Sequence, residues 1–180
     1  MLITQVHYLD QEAKKNLIEG FQSLINKAGG EPLFYCIGSD RHILDCFGPL
    51  IGTMLNSAVP ELDVFGTLDE PLHAKNLVKE ITCIKSQYPG RTEIAIDASL
   101  GEVSEIGSIK LKDESLLPGK AIFRNLPPIG RYSLIGIVDS RAERHRVTAK
   151  NSGSLTHVYH MANLICSAIY EWYNDRHLQR

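Results

Sequence analysis

"PLFYCIGSDRHILDCFGPLIGTMLNSA", residues 32–58, decides how the rest of the chain is read. Its first part, PLFYCIG, is a short continuous apolar run, the pattern of a central strand buried on both faces. Its last part, DCFGPLIGTMLNSA, reads as a helix. Pro49 is tolerable there because it falls in or near the first turn, where its missing N–H has no helical partner to lose. Between the two lie Asp40, Arg41, His42 and Asp45. Ionisable side chains crowded at the exit of an apolar strand mark either a solvated turn or a reaction site.

Working outward, DQEAKKNLIEGFQSLINKAGG (10–30) predicts a helix capped by Asp10 and ended by Gly29-Gly30. Leu17, Phe21, Leu24, Ile25 and Ala28 share one face of it at helical spacing. ELDVFG (61–66) supplies a short strand. LDEPLHAKNLVKEITCIKSQY (68–88) predicts a helix with Asp69 and Glu70 at its positive end, stopped by Pro89-Gly90. TEIAIDASLG (92–101) reads as a strand, with Asp97 ending its apolar part. SIKLKDESLLPGKAIFRNLPPIG (108–130) gives one or two short strands among loops, and YSLIGIV (132–138) a further apolar strand. The final long helix covers 154–175, with Leu155, Val158, Ala162, Ile165, Ile169 and Trp172 as its apolar stripe. Strands alternating with helices imply βαβ units. The expectation is one α/β domain over residues 1–180, a three-layer sandwich with a mainly parallel sheet and helices on both faces.

The bulk numbers fit that class. The chain has 180 residues, 43% hydrophobic and 22% charged, enough for a substantial core. A formal net charge of -2 gives no reason to expect a nucleic-acid partner. No apolar stretch approaches the roughly 18 to 20 residues of a membrane span, and the start lacks a signal-peptide pattern. A cytoplasmic address with no membrane partner is therefore expected. Cys36, Cys46, Cys83 and Cys166 are scattered, with no C-x2-4-C zinc spacing.

In open parallel sheets ligands bind beyond the carboxyl ends of the strands. Asp45 and Asp97 both belong to strand exits, so neighbouring strands would bring them to one edge. A carboxylate at a helix N-terminus is favoured as the anion, whereas one emerging from a buried strand is favoured neutral. Such a pair could activate a water and protonate a leaving group, or hold a metal. The plainer alternatives are that Asp45 caps its helix and Asp97 satisfies loop N–H groups. Asp40 suits a turn. Thr67 and Asp69 sit at another strand-to-helix junction, where they would cap the helix; alternatively Thr67, with His73 about one turn into the helix, would position a substrate. Arg141, Arg144, His145, Arg146 and Lys150 form a basic loop that is either solvated or gathers an acidic peptide or anion. There is no phosphate loop and no nucleophile elbow. His157 and His160, three apart on the last helix, have no partner acid at ligand spacing.

"CIGSDRHILDCFGPLIGTML", "VFGTLDEPLHAKNL", "IAIDASLG" and "LLPGKAIFRNLPPIGRYSLIGIV" together resemble the YyaC family of sporulation proteins. The blocks span most of the chain from Cys36 to Val138. That family is in turn similar to the spore germination protease and, more distantly, to the hydrogenase maturation proteases. The resemblance implies a phosphorylase/hydrolase-like, germination-protease-like α/β sandwich. It also implies that Asp45 in "DCFGP" and Asp97 in "IAIDA" are the catalytic pair of an aspartate-dependent endopeptidase of the forespore or spore interior. The hydrogenase maturation proteases carry a histidine after the second acidic block. Here residues 99–125 contain none, so no metal triad is expected.

The expected function is thus peptide-bond hydrolysis by Asp45 and Asp97, with Asp40, Arg41, Thr67 and His73 binding a protein or peptide substrate and no cofactor. Two alternatives stand beside it: a non-catalytic peptide-binding or regulatory protein on the same fold, and a metal-dependent hydrolase with the metal between the two aspartates. Homo-oligomerisation is left open.

Overall fold

Alternate residues of the 32–36 run go to opposite sides of a sheet, as a period of two requires. In the computed structural model, which describes residues 1–118, 126–140 and 154–178, the elements follow in chain order. They are β1 (Leu2–His7), α1 (Ala13–Ala28), β2 (Pro32–Cys36), α2 (Phe47–Ala58), β3 (Asp63–Phe65), α3 (Leu77–Gln87), β4 (Thr92–Gly101), β5 (Ser108–Lys112), β6 (Tyr132–Ser140) and α4 (Leu155–Leu178). Phe34 and Cys36 of β2 join Ile94 and Ile96 of β4 in a cluster with residues of α1, α2 and α4. Leu33 and Tyr35 join Ala95 and, from α3, Leu77, Ile81 and Ile84 in a second cluster. Every residue of β2 is buried, as its unbroken apolar run demands.

The six strands lie in the order β1-β5-β6-β4-β2-β3. β2 pairs in parallel with β3 and with β4, and β4 in parallel with β6. β5 runs against both of its neighbours, β1 and β6. The sheet is therefore mixed, where alternation of elements alone suggested mainly parallel. The reversed strand is SIKLK, which no helix separates from β4; only a 3-10 turn at Val103–Glu105 lies between them. β2 lies between β3 and β4, with α2 leading to the first and α3 from the first to the second. The carboxyl ends of the adjacent parallel strands β2 and β4 are therefore where the topology of an α/β sheet leads a ligand site to be expected.

Several boundaries differ from the sequence reading. β1 carries no strand signal in the sequence, because LITQVH is an edge strand with polar alternates and an exposed Leu2. α1 begins at Ala13 with Glu12 at its cap position and no side-chain cap. Asp10 instead accepts the His7 N–H at 2.8 Å, closing a turn. Ala28 is exposed at the last residue of α1. The remaining four residues of the proposed α1 face are buried. α3 starts at Leu77 rather than near Leu68, because Leu72 is taken by a bridge to Ile37. In α4 the stripe holds from Val158 to Trp172, while Leu155, in the first turn, is 55% exposed. Among the described residues no helix is long and apolar enough to cross a membrane.

Candidate active site

The loop from Gly38 to Cys46 is pinned between β2 and α2. Gly38 continues β2 by donating its N–H to the Leu72 carbonyl at 2.9 Å, and Ser39 donates to the Asp45 carbonyl at 3.1 Å. Gly38 has φ +147, and a Cβ there would collide with the Asp45 carbonyl oxygen. Gly48 presses α2 onto the strand exit so closely that a Cβ would meet the Ile37 backbone. Phe47, the first residue of α2, lies over Gly136 of β6. These close approaches explain the small residues in "IGSDRHILDCFGP" and fix where Asp45 stands.

Asp45 does not cap α2. The helix begins at Phe47, Cys46 occupies the cap position, and no side chain bonds the first-turn N–H groups. The Asp45 N–H donates to the His42 carbonyl at 2.9 Å in the turn before the helix. Much of the residue faces solvent, yet partial burial of its carboxyl pushes the pKa up from the ordinary aspartate value, while the charges of His42 and His73 pull it down. The shift thus runs opposite to the downward one expected of a helix-capping carboxylate, because Asp45 does not cap α2 and its carboxyl loses water.

Asp97 is inside β4 and not at its end. The β2 ladder stops at the Cys36–Ile96 pair. β4 continues against β6, with Asp97 opposite Ile135, as far as Gly101 opposite Ser140. Asp97 alternates with Ile96 and so shares a face with Ala95, the side that carries α3. Burial pushes its carboxyl up to about 8. The Ala98 N–H, which donates to Oδ1 at 2.8 Å, opposes that shift, and the charge of Asp45 adds to it. The two aspartates are thus within electrostatic reach of one another.

The other proposed residues divide. His73 precedes α3, directly after the Leu72 bridge, and its charge bears on Asp45. His42 does the same from Asp45's own loop, although the sequence reading gave it no role; its position three residues before Asp45 was the available signal. Thr67 closes a local turn, its Oγ1 accepting the Glu70 N–H at 3.0 Å, and caps no helix. Asp40 and Arg41 are exposed on the loop, where the Arg41 N–H donates to Ser39 Oγ at 3.3 Å. Burial pushes the Cys46 thiol up, and it donates to the Ile43 carbonyl, which disfavours a thiolate nucleophile. Among the described residues no three His, Cys, Asp or Glu side chains gather to hold a metal ion.

Other features lie away from the pair. His160 stacks on Tyr8, and His157 meets the same ring edge-on. A hollow of about 420 Å³ beside them is lined by Tyr8, Lys14, His160 and Asn163, and one of about 260 Å³ by Glu31, Glu61, Arg91 and Tyr173. Asp45 and Asp97 line neither. The basic loop with Arg141, Arg144, His145, Arg146 and Lys150, and the 119–125 part of the "LLPGKAIFRN" block, lie outside the described residues.

The model of the family described as "Protein of unknown function (DUF1256)" matches residues 5–168, from within β1 to well along α4 and across both aspartates. A relative, the "Uncharacterized protein YyaC" of Bacillus subtilis (strain 168), is 33% identical over 178 residues, covering 95% of this chain and 86% of that protein. The chain belongs to the DUF1256 family.

Proposed function

We propose that this protein is a sporulation-related endopeptidase in which Asp45 and Asp97 act on one water. The observation that carries the reading is a carboxyl pushed up to about 8, Asp97, one residue past the end of the β2–β4 ladder and within electrostatic reach of Asp45. Environments that hold two acids in different protonation states are the means by which one takes a proton and the other gives one. Ionised Asp45 removes a proton from the water as it attacks the peptide carbonyl. Neutral Asp97 gives its proton to the departing amide nitrogen. The product is a new carboxyl and a free amine, and one further proton exchange between the carboxyls resets the pair. Coupled carboxyls titrate as a unit, so the roles belong to the pair before they belong to either residue.

The resemblance of "DCFGP" and "IAIDA" to the germination protease supports the same reading, as does the parallel pairing of β2 and β4, the strands that lead to the two aspartates. The finer description of the fold as a three-layer, germination-protease-like sandwich belongs to this proposal, as do action inside the spore and a protein or peptide substrate. Asp40 and Arg41, exposed beside Asp45, are positioned to meet an extended peptide, and Thr67 would contact it only through its turn.

The test is incubation of the purified chain with small acid-soluble spore proteins and with unstructured peptides. Cleavage that disappears in Asp45→Asn and in Asp97→Asn, with circular dichroism unchanged, is the expected result. Full turnover in either variant overturns the aspartate pair. Saturable binding without products favours a non-catalytic binding protein on this fold.

A further inference from the structure

His73 carries a ring nitrogen with no partner. Its Nδ1 is sealed from solvent and makes no hydrogen bond, although the backbone around it is firmly held. The His73 N–H donates to Asn76 Oδ1 at 2.9 Å, and Asn76 Nδ2 donates to the Pro71 carbonyl at 3.0 Å. The His73 carbonyl accepts the N–H groups of Asn76 and Leu77. Leu72, the preceding residue, bridges Ile37 and accepts the Gly38 N–H. Ser39, next along, donates to the Asp45 carbonyl. A single dipeptide, Gly38-Ser39, therefore ties the His73 segment to the Asp45 segment, and the ring's charge is felt at the Asp45 carboxyl.

A neutral imidazole has one N–H and one bare nitrogen. A proton on Nδ1 would bury a donor with no acceptor, which costs that group its full desolvation. A proton held on Nε2 instead avoids that buried, unanswered donor, and Nε2 is not among the sealed, unpartnered atoms. An Nε2–H there would be a donor on a segment tied by backbone hydrogen bonds to the Asp45 loop.

We propose that His73 donates its Nε2–H to the carbonyl oxygen of a peptide bound at the Asp45/Asp97 site. The inference rests on reading that site as one that handles peptides. As water attacks, the carbonyl oxygen gathers negative charge, and a donor already in place stabilises it without reorganising. The hydrogen bond stays on the oxygen throughout and no proton is transferred from His73.

The experiment uses the full chain labelled with 15N-histidine and an unstructured peptide, with His73 assigned from the signal lost in His73→Gln. Long-range proton–nitrogen spectra should show the Nε2–H tautomer, with that proton moving downfield as peptide is added. A dominant Nδ1–H tautomer, or an Nε2–H signal that peptide leaves unmoved, overturns the proposal. In kinetics, His73→Ala should lose about 10²–10³-fold in kcat with KM changed much less. His73→Gln, whose amide nitrogen reaches near the place of Nε2, should recover part of the loss. Equal kcat in the wild type and His73→Ala overturns the proposal as well. Turnover surviving in Asp45→Asn sinks the aspartate pair while leaving the His73 measurements standing. A peptide that is held uncleaved yet shifts Nε2–H supports the His73 contact and removes the hydrolysis.

Discussion

Asp97 lies opposite Ile135 of β6, one residue past Ile96, the last residue of β4 that pairs with β2. It keeps one neighbouring strand where Ile96 has two, and the residue is half-buried there. A carboxyl held at about 8 in the folded chain but near 3.9 in the unfolded chain binds its proton more tightly when folded. Stability from this group is full below about pH 4 and is lost as pH rises through about 8. Asp97→Asn should therefore melt at nearly the wild-type temperature at pH 4 and several degrees above it at pH 9, since about 1 kcal/mol corresponds to roughly 2–4 °C in a chain of this size. Thermal melts of both proteins across that range measure the crossing.

The same proton governs the proposed chemistry. If Asp97 is the donor, peptide cleavage should fall on the alkaline side with an apparent pKa near 8, as the acid form is lost. Asp45→Asn and Asp97→Asn should each reduce kcat by about 10²–10⁴-fold. A pH–rate profile flat from 6 to 10 would contradict the donor assignment.

Electrostatic reach between the two carboxyls can be read without any turnover. The charge of Asp45 helps hold Asp97 up, so Asp45→Asn should lower the Asp97 pKa. Carbon-detected NMR titration of the side-chain carboxyls follows this directly. An Asp97 titration identical in the two proteins would place the groups too far apart to cooperate.

Two glycines separate crowding from backbone conformation. Gly29 ends α1 at φ +78 with open space around a would-be Cβ, so Gly29→Ala should cost about 1 kcal/mol, the penalty for a left-handed alanine. At Gly48 the obstacle is the Ile37 backbone, which cannot swing aside as a side-chain tip can. Gly48→Ala should cost about 3 kcal/mol and weaken any activity of Asp45. Urea denaturation of the pair gives both numbers.

Burial and period were legible wherever they were strong. PLFYC, TEIAIDASLG and the 47–58 helix announce themselves by apolar runs or by helical spacing, and the structure places elements there. LITQVH was silent because an edge strand needs only one apolar face, and much of its side-chain pattern faces water. The start of α3 misled because Asp69, Glu70 and Pro71 have the chemistry of a helix start, while Leu72 answers to Ile37, a partner far away in sequence. The site divides the same way. The sequence suggests strand exits for both Asp45 and Asp97, but Asp97 lies inside β4, and the protonation of each depends on how far the β2 ladder runs and where α2 begins. His73 was visible only as a residue near a junction, since an unpartnered Nδ1 is a property of what surrounds it.

The seating of the Phe47 ring on Gly136 links a strand that bears neither carboxyl to the start of α2, two residues from Asp45. Any side chain at 136 would have to lever that ring outward, and the helix start would follow it. Position 136 is thus a remote tuning screw: enlarging it should misalign the two acids without touching either one, so that a sequence change in mid-strand is felt as a change of reactivity at the aspartate pair.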